Sequence, residues 1–202
     1  MTAFPQPLTG IAAAIMTNNV DTDTIIPSRE MRSTGRTGLA DGMFAPWRYS
    51  DVDARVPNPD FALNQPEYAN AQIIAGGKNF GCGSSREHAV WALAEYGIKA
   101  IIAESFAPIF QNNCVRNFLL PVALPRDQVE ACAGKIVTID LAAQQVHCDN
   151  VIHTFSIDPE AKQMLADGLD AIDLTLTQAS AIDTWLATDK TTRPWVYLEK
   201  SA

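Results

Sequence analysis

Residues 77–89, with the sequence GKNFGCGSSREHA, combine a glycine-rich turn with side chains that can do chemistry. Ser84 and Ser85 carry hydroxyls, and Arg86 carries a guanidinium that can pair with a carboxylate or a phosphate. A cation is unusual in the first turn of a helix, because the helix dipole favours anions there. Arg86 is better explained by a small bound anion, which the free amides of a helix start also attract.

The same residues indicate catalysis as well as binding. A serine hydroxyl is protonated at neutral pH, so Ser84 can act as a base only where its alkoxide is strongly stabilised. Helix-start amides and the neighbouring guanidinium of Arg86 would provide that stabilisation. His88 lies one helical turn after Ser84, and we interpret it as a core or supporting histidine that orients the loop.

Three familiar motifs do not fit this loop. A Walker loop needs Ser or Thr after its lysine, but Lys78 is followed by Asn79. A nucleophile elbow needs a glycine on each side of its serine at a spacing of two, and Gly83 directly precedes Ser84. A dinucleotide fingerprint needs a further glycine, which is missing here. One structural alternative stays open, a capping box in which Ser84 and Glu87 satisfy amides at the helix start.

Apolar runs on either side predict the elements that position the loop. Residues 71–77 (AQIIAGG) and 99–106 (KAIIAESF) are typical of buried strands, and residues 85–96 have helical spacing before Gly97. A strand, loop, helix and strand in this order predict parallel neighbouring strands. A second unit follows, with a helix over residues 107–115 and a strand over 119–124. The fold class is therefore α/β, with a mixed sheet that contains a parallel βαβ element.

The remaining chain predicts further strands, short helices and one long irregular segment. Residues 10–16 indicate a buried strand, and residues 135–157 indicate antiparallel strands, before one or two short helices within 159–186. Between residues 28 and 68 the pattern loses its period, with many glycines and prolines. Loops of such length are functional or disordered, and the aromatic residues here favour an ordered, functional loop.

Composition excludes several classes of protein. The chain has 202 residues and a net charge of −8, which argues against a nucleic-acid partner. No stretch approaches the roughly 18 apolar residues of a membrane span, so we expect a cytoplasmic protein with one domain over residues 1–202. The four cysteines include no C-x-x-C pair, and we expect reduced thiols and no metal held by this chain.

Four segments together resemble a known family. They are NVDTDTIIP at 19–27, NPDFALN at 58–64, NFGCGSSREHA at 79–89 and NNCVRNFLLP at 112–121. In this order they resemble the small subunits of bacterial 3-isopropylmalate dehydratase, in the aconitase superfamily, and the likeness covers most of the chain. The resemblance implies a swivelling β/β/α domain like the mobile C-terminal domain of aconitase. Such a domain closes over a 4Fe-4S cluster that a separate large subunit holds in a heterodimer.

The resemblance also implies a reaction and roles for residues. The reaction is a hydro-lyase interconversion of 2-isopropylmalate and 3-isopropylmalate, through isopropylmaleate, in leucine biosynthesis. Ser84 would abstract a proton, Asp23 would support the catalytic centre, and the irregular segment 28–68 would face the substrate. Carboxylate binding is expected from Arg86 with Ser85 and from Arg36, while Arg29 and Arg32 are weaker candidates. The supporting loop residues are Gly81, Cys82, Gly83, Glu87 and His88.

Alternatives remain for the acids and for the substrate. Asp21 and Asp23 lie in a loop where acids also cap turns, and we expect Asp21 to be structural. Related hydro-lyases that act on 2-methylmalate and citraconate, or on homoaconitate, share the glycine loop. A non-catalytic module that binds an anion with the same loop is a further hypothesis.

Overall fold

The structure is a computed structural model that describes residues 3–31 and 35–197. The strands are β1 (Leu8–Ile15), β2 (Tyr49–Asp51), β3 (Val56–Pro57), β4 (Ile73–Gly76), β5 (Ala100–Ala103), β6 (Leu120–Ala123), β7 (Ile136–Asp140), β8 (Gln145–Cys148) and β9 (Val151–Thr154). The helices are α1 (Thr22–Ile25), α2 (Ala45–Arg48), α3 (Glu87–Tyr96), α4 (Pro108–Arg116), α5 (Arg126–Cys132), α6 (Pro159–Asp167), α7 (Ala171–Leu176) and α8 (Ala179–Thr192). Short 3-10 turns span Ser28–Glu30, Ala40–Gly42, Ala62–Asn64, Pro66–Tyr68 and Pro194–Val196.

Among the described residues, seven strands form one sheet in the order β6-β5-β4-β1-β7-β8-β9. β1 pairs in parallel with β4, where Ala12 lies opposite Ile73, and antiparallel with β7, where Leu8 lies opposite Ile139. β4, β5 and β6 run parallel, whereas β7, β8 and β9 are antiparallel neighbours. The predicted mixed sheet with a parallel βαβ element is confirmed.

The helices of the parallel half lie close to their predicted positions. α3 begins at Glu87, two residues later than the helical pattern predicts. It ends before Gly97, whose φ of 113° is a backbone conformation that glycine adopts more readily than other residues. α4 and β6 are each within one residue of the predicted 107–115 and 119–124.

The sheet is covered on both faces, which explains the continuous apolar runs of its strands. On β5, Ile101 packs in one hydrophobic cluster with residues of α3 and α4. Ile102, which points to the opposite face, packs in a second cluster with Val129 and Cys132 of α5 and Leu165 of α6. The glycine loop therefore leads into the helical layer on the first face.

The irregular segment 28–68 is ordered in its described part by aromatic packing. Phe44 is fully buried, and its ring centroid lies 5.8 Å from that of Trp47 and 5.7 Å from that of Phe61. In its described residues the segment contains only short turns, a four-residue helix and a two-stranded ribbon. Its orientation toward a substrate stays a prediction. Arg32 lies outside the described residues.

Glu95 on α3 anchors the irregular segment to the helical layer. Its carboxylate accepts hydrogen bonds from the backbone amides of Gly38, Leu39 and Ala40 at 2.7, 2.6 and 2.9 Å. Burial alone would raise the pKa of Glu95, but the three amides outweigh it and lower the pKa from its ordinary 4.5. Glu95 is therefore ionised at neutral pH, and the charge-assisted bonds persist there.

The chain after residue 158 is more helical than the sequence predicts. Where one or two short helices are expected, the described residues form α6, α7 and α8, and α8 continues to Thr192. Capping by Asp158 and Asp170 starts the first two of these helices. Apolar side chains stay exposed on the last two helices and the terminal turn, among them Trp185 and Trp195. No described helix has both the length and the apolar character to cross a membrane.

Candidate functional site

Two loops meet at the carboxyl edge of the parallel strands, where α/β proteins commonly bind ligands. One follows β1 and includes α1, and the other is the glycine loop between β4 and α3. The amide of Gly81 donates to the carbonyl of Val20 at 2.7 Å, and the amide of Thr22 donates to the carbonyl of Cys82 at 2.8 Å. The hydroxyl of Thr22 donates to the carbonyl of Ser84 at 2.9 Å. These bonds fix the backbone on both sides of the predicted catalytic serine.

The glycines at 81 and 83 are required by the path of the loop. Both have positive φ, 76° and 88°, a region that side chains with a Cβ adopt at a cost. A Cβ added at Gly81 would lie 2.0 Å from Cγ of Phe110, the aromatic ring in the first turn of α4. At Gly83 the added Cβ would lie 3.3 Å from Cβ of Asp21. The loop therefore packs too closely on its neighbours for larger residues.

The turn and α4 enclose a cavity of about 220 Å³. Ser84 and Ser85 are exposed, and within the described part of the chain their hydroxyls make no hydrogen bond. Both hydroxyls are thus available to a ligand. The cavity is lined by Thr22, Gly81, Gly83, Ser84, Ser85, Arg86, Ala107, Pro108, Ile109, Phe110 and Asn113.

Arg86 and Asp23 form an ion pair at the side of this cavity. Nη1 of Arg86 donates to Oδ1 of Asp23, which joins the glycine loop to α1. The Arg86 side chain is 22% exposed, whereas that of Asp23 is 53% exposed. A guanidinium has five N–H donors, so this contact leaves donors of Arg86 for a carboxylate ligand. The structure brings Ser84, Ser85, Arg86 and Asp23 together.

Asp21 has a structural role, as expected. Its carboxylate accepts a hydrogen bond from the amide of Thr24 at 2.6 Å and caps the start of α1. Thr22, the residue between the two acids, is buried beneath Ser84. The short sequence Asp21-Thr22-Asp23 therefore divides into a cap, a loop tether and an ion-pair partner.

The capping-box interpretation of Ser84 and Glu87 is wrong. Arg86 occupies the N-cap position of α3, no side chain caps the helix, and the carbonyl of Ser84 accepts from the amide of Arg86. Oε1 of Glu87 instead accepts from Nδ2 of Asn117 at 2.7 Å. Oδ1 of Asn117 in turn accepts from the indole nitrogen of Trp91 at 3.0 Å. Glu87 thus links the start of α3 to the end of α4.

His88 and Arg36 both contact Trp91, and neither lines the cavity beside Ser84. The ring of His88 is 4.6 Å from the nearer indole centroid, and the guanidinium carbon of Arg36 is 5.0 Å from it. Arg36 also lines a separate cavity of about 450 Å³ with Trp91 and Lys99. The structure does not bring Arg36 to the serine cavity, and its role as a carboxylate ligand stays a prediction.

The contacts of Arg29, a weaker candidate, do not include the glycine loop. Its Nε lies 3.7 Å from Oε1 of the buried Glu30, which is also paired with Arg55. These residues line a different cavity. The contacts of Arg29 therefore give it a place in a local ion-pair cluster.

Cys82 supports the loop as a protonated thiol. Burial, followed by the nearby charge of Asp21, raises the pKa of Cys82 above its ordinary value. The thiol is thus not activated as a nucleophile. All four cysteines are free, and within residues 3–31 and 35–197 no three His, Cys, Asp or Glu side chains are placed to hold a metal ion.

Sequence reasoning missed the contribution of α4 to the cavity. Phe110 supports Gly81 from below, and Asn113 lines the same space one turn further along. A signal was present, because the loops after two adjacent parallel strands lie at the same edge of the sheet. The start of α4 follows β5 as the start of α3 follows β4, so the two helix starts had to be neighbours.

Comparisons with known proteins show what this chain is similar to. A sequence profile described as the aconitase C-terminal domain matches residues 3–127. A solved structure of 3-isopropylmalate dehydratase from Methanocaldococcus jannaschii superposes with a TM-score of 0.67 at 31% sequence identity, covering 89% of this chain and 98% of that one. The fold and the site therefore define an aconitase-type C-terminal domain.

Relatives with higher sequence identity show which family within this class the chain belongs to. The 3-isopropylmalate dehydratase small subunit of Cupriavidus necator is 51% identical over 199 residues, covering 94% of this chain and 96% of the relative. That of Azorhizobium caulinodans is 47% identical over 197 residues, covering 94% and 97%. The chain belongs to the family of 3-isopropylmalate dehydratase small subunits.

Proposed function

We propose that this chain is the small subunit of a cytoplasmic 3-isopropylmalate dehydratase, a hydro-lyase that acts in leucine biosynthesis. It would interconvert 2-isopropylmalate and 3-isopropylmalate only when paired with a large subunit in a heterodimer. One observation carries the proposal: the hydroxyls of Ser84 and Ser85 are free at a cavity beside the guanidinium of Arg86. That arrangement suits a small acid with carboxylate groups.

Ser84 would serve as the base. Its alkoxide would take a proton from the carbon next to a carboxylate, and the electrons of that C–H bond would form the double bond of isopropylmaleate as the hydroxyl leaves the adjacent carbon. Rehydration would add the hydroxyl to the carbon that lost the proton, and a proton to the carbon that lost the hydroxyl. The amides of the first turn of α3 and the cation of Arg86 would stabilise the alkoxide.

Arg86 and Ser85 would bind a carboxylate of the substrate. The planar guanidinium can donate two parallel hydrogen bonds to a carboxylate. Asp23 would hold that guanidinium in orientation through the ion pair at the cavity wall. Arg36 is proposed as a second carboxylate ligand, which would require it to leave Trp91 or the substrate to extend toward it.

A 4Fe-4S cluster on the large subunit would supply the Lewis acid that takes the leaving hydroxyl. The residues of this chain would bind and orient the acid and move its proton. Closure of the two subunits over the acid would exclude water from the serine. The exposure of Ser84 and Ser85 in the free chain is consistent with a site that a partner completes.

Replacing Ser84 tests the proposal. In the assembled complex, Ser84→Ala should lower kcat with 2-isopropylmalate by roughly 10²- to 10⁴-fold, the range typical of a lost general base. Size-exclusion chromatography should show that the subunits still assemble. Ser180→Ala, on the exposed surface of α8, is the matched control and should retain wild-type turnover. Near-normal activity of Ser84→Ala would rule out the catalytic role.

The same assay separates the related substrates. The reconstituted pair should convert 2-isopropylmalate with a higher kcat/KM than 2-methylmalate, citraconate or homoaconitate. A clear preference for one of these acids would reassign the substrate while keeping the reaction. Binding of all acids without turnover would favour the non-catalytic anion-binding module.

A further inference from the structure

Asn113 of α4 is a buried polar residue without a hydrogen-bonded side chain. It is 8% exposed and lines the serine cavity. Within the described part of the chain, its carbonyl oxygen accepts from Asn117, but its side-chain carboxamide makes no hydrogen bond. Its side-chain nitrogen and oxygen are not sealed from solvent, so the carboxamide is open to a ligand in the cavity.

The residues around Asn113 indicate which kind of ligand group its carboxamide would bind. The rest of the α4 side of the cavity is apolar, formed by Pro108, Ile109 and Phe110. Ser84 and Arg86 line the same cavity. Asn113 therefore contributes a neutral polar group to the cavity that holds the predicted base and the predicted carboxylate clamp.

We infer that Asn113 binds the substrate, with its side-chain N–H donating a hydrogen bond to a substrate carboxylate. The inference rests on the proposed function, because it names the ligand of the same cavity. For a substrate with two carboxylates, whose oxygens each accept more than one hydrogen bond, the amide of Asn113 would add a donor to those of Arg86 and Ser85. An amide adds a donor without adding charge, so the hydroxyl of Ser84 keeps its electrostatic surroundings.

A role in folding alone would need contacts that the carboxamide lacks. The link between α3 and α4 is made by Glu87, Asn117 and Trp91, whose side chains are joined to one another. Asn113 enters that network only through its backbone carbonyl. A substitution of its side chain therefore leaves the link between the helices intact.

The test uses the assembled complex and a matched pair of variants. Asn113→Asp keeps the size of the side chain but replaces the N–H donor with an oxygen that repels a carboxylate. It should raise KM for 2-isopropylmalate roughly ten- to hundredfold, with a smaller change in kcat, as expected for lost binding to a charged group. Asn112→Asp makes the same charge change on the adjacent, exposed residue and should leave KM within about twofold.

Additional readouts separate binding from folding. Asn113→Ala removes the donor without adding charge and should raise KM by a smaller factor, roughly fivefold or more. For both Asn113 variants, saturating substrate should raise the melting temperature of the complex less than it does for wild type. If the Asn113 variants have the same KM and the same substrate-induced shift in melting temperature as Asn112→Asp, the inference is wrong. Turnover by the wild-type complex would then still support the proposed function. A wild-type complex that converts none of the acids would overturn the proposed function and this inference with it.

Discussion

At the scale of residues, the site depends on a division of tasks within a few neighbouring side chains. The hydroxyl of Thr22 donates to the carbonyl of Ser84, and the carboxylate of Asp23 pairs with Arg86. The hydroxyl of Ser84 is left free by this arrangement. Arg86 holds the loop through Asp23 and also keeps N–H donors for a ligand.

Arg86→Lys tests whether the guanidinium binds a carboxylate by its shape. An ammonium is a point charge and cannot reproduce the two parallel donors of the planar fork. We expect KM for the acid to rise about tenfold or more in the assembled complex, with kcat less affected. Steady-state kinetics measure both constants.

Arg126→Lys is the control for this change. Arg126 forms an exposed i,i+4 ion pair with Glu130, and such pairs contribute little. Its replacement should leave both kinetic constants unchanged. If Arg86→Lys also leaves them unchanged, the carboxylate clamp is wrong.

At the scale of elements, the glycine loop is fixed by close packing against the first turn of α4. Gly81 lies where a Cβ would overlap the Phe110 ring, and its φ is positive. The shape of the turn, and with it the position of Ser84, therefore depends on an aromatic side chain from the following βα unit. This dependence couples two loops that are separated in sequence.

Gly81→Ala should destabilise the chain by about 2–6 kcal/mol, because backbone strain and overlap with a buried ring add together. Gly97→Ala is the matched control, since Gly97 also has positive φ but no atom lies within 4 Å of an added Cβ. It should cost only the strain, about 1–2 kcal/mol. Urea unfolding gives both free energies, and equal losses would show that contact with Phe110 is unimportant.

The sequence predicts the elements of this site better than their contacts. The apolar runs that become β4 and β5 and the helical spacing of α3 are local signals, and their predicted bounds agree with the structure to within three residues. The capping box failed because Glu87 has a stronger alternative partner in Asn117, thirty residues away. Arg36 was grouped with the site by resemblance, and its contact with Trp91 depends on how segment 28–68 folds over α3. Contacts between residues that are far apart in sequence cannot be predicted from local residue spacing.

At the scale of the whole molecule, the cavity beside Ser84 is open to solvent. The described residues give no cluster of metal ligands, and the cavity beside Ser84 holds only about 220 Å³. Apolar side chains also remain exposed, as on α7 and α8. Under the proposed function, a large subunit would cover this exposed surface.

Copurification with the large subunit tests this view of the molecule. We expect a tagged form of this chain, coexpressed with a 3-isopropylmalate dehydratase large subunit, to retain that subunit through affinity and size-exclusion steps. The complex should contain iron and acid-labile sulfide, and this chain purified alone should contain neither above background. Stoichiometric iron in the isolated chain, or failure to associate, would contradict the proposed arrangement.

The central position of β1 has a consequence for how the protein is made. This strand leaves the ribosome first among the strands, yet its partners β4 and β7 begin at Ile73 and Ile136. During synthesis one edge of β1 must wait for β4 and the other for β7 to emerge, because pairing between distant segments cannot precede their translation. The pairing of β1 with β7, which joins the parallel and antiparallel halves of the sheet, therefore forms late. A nascent chain stalled before residue 136 would expose one edge of β1 to aggregation.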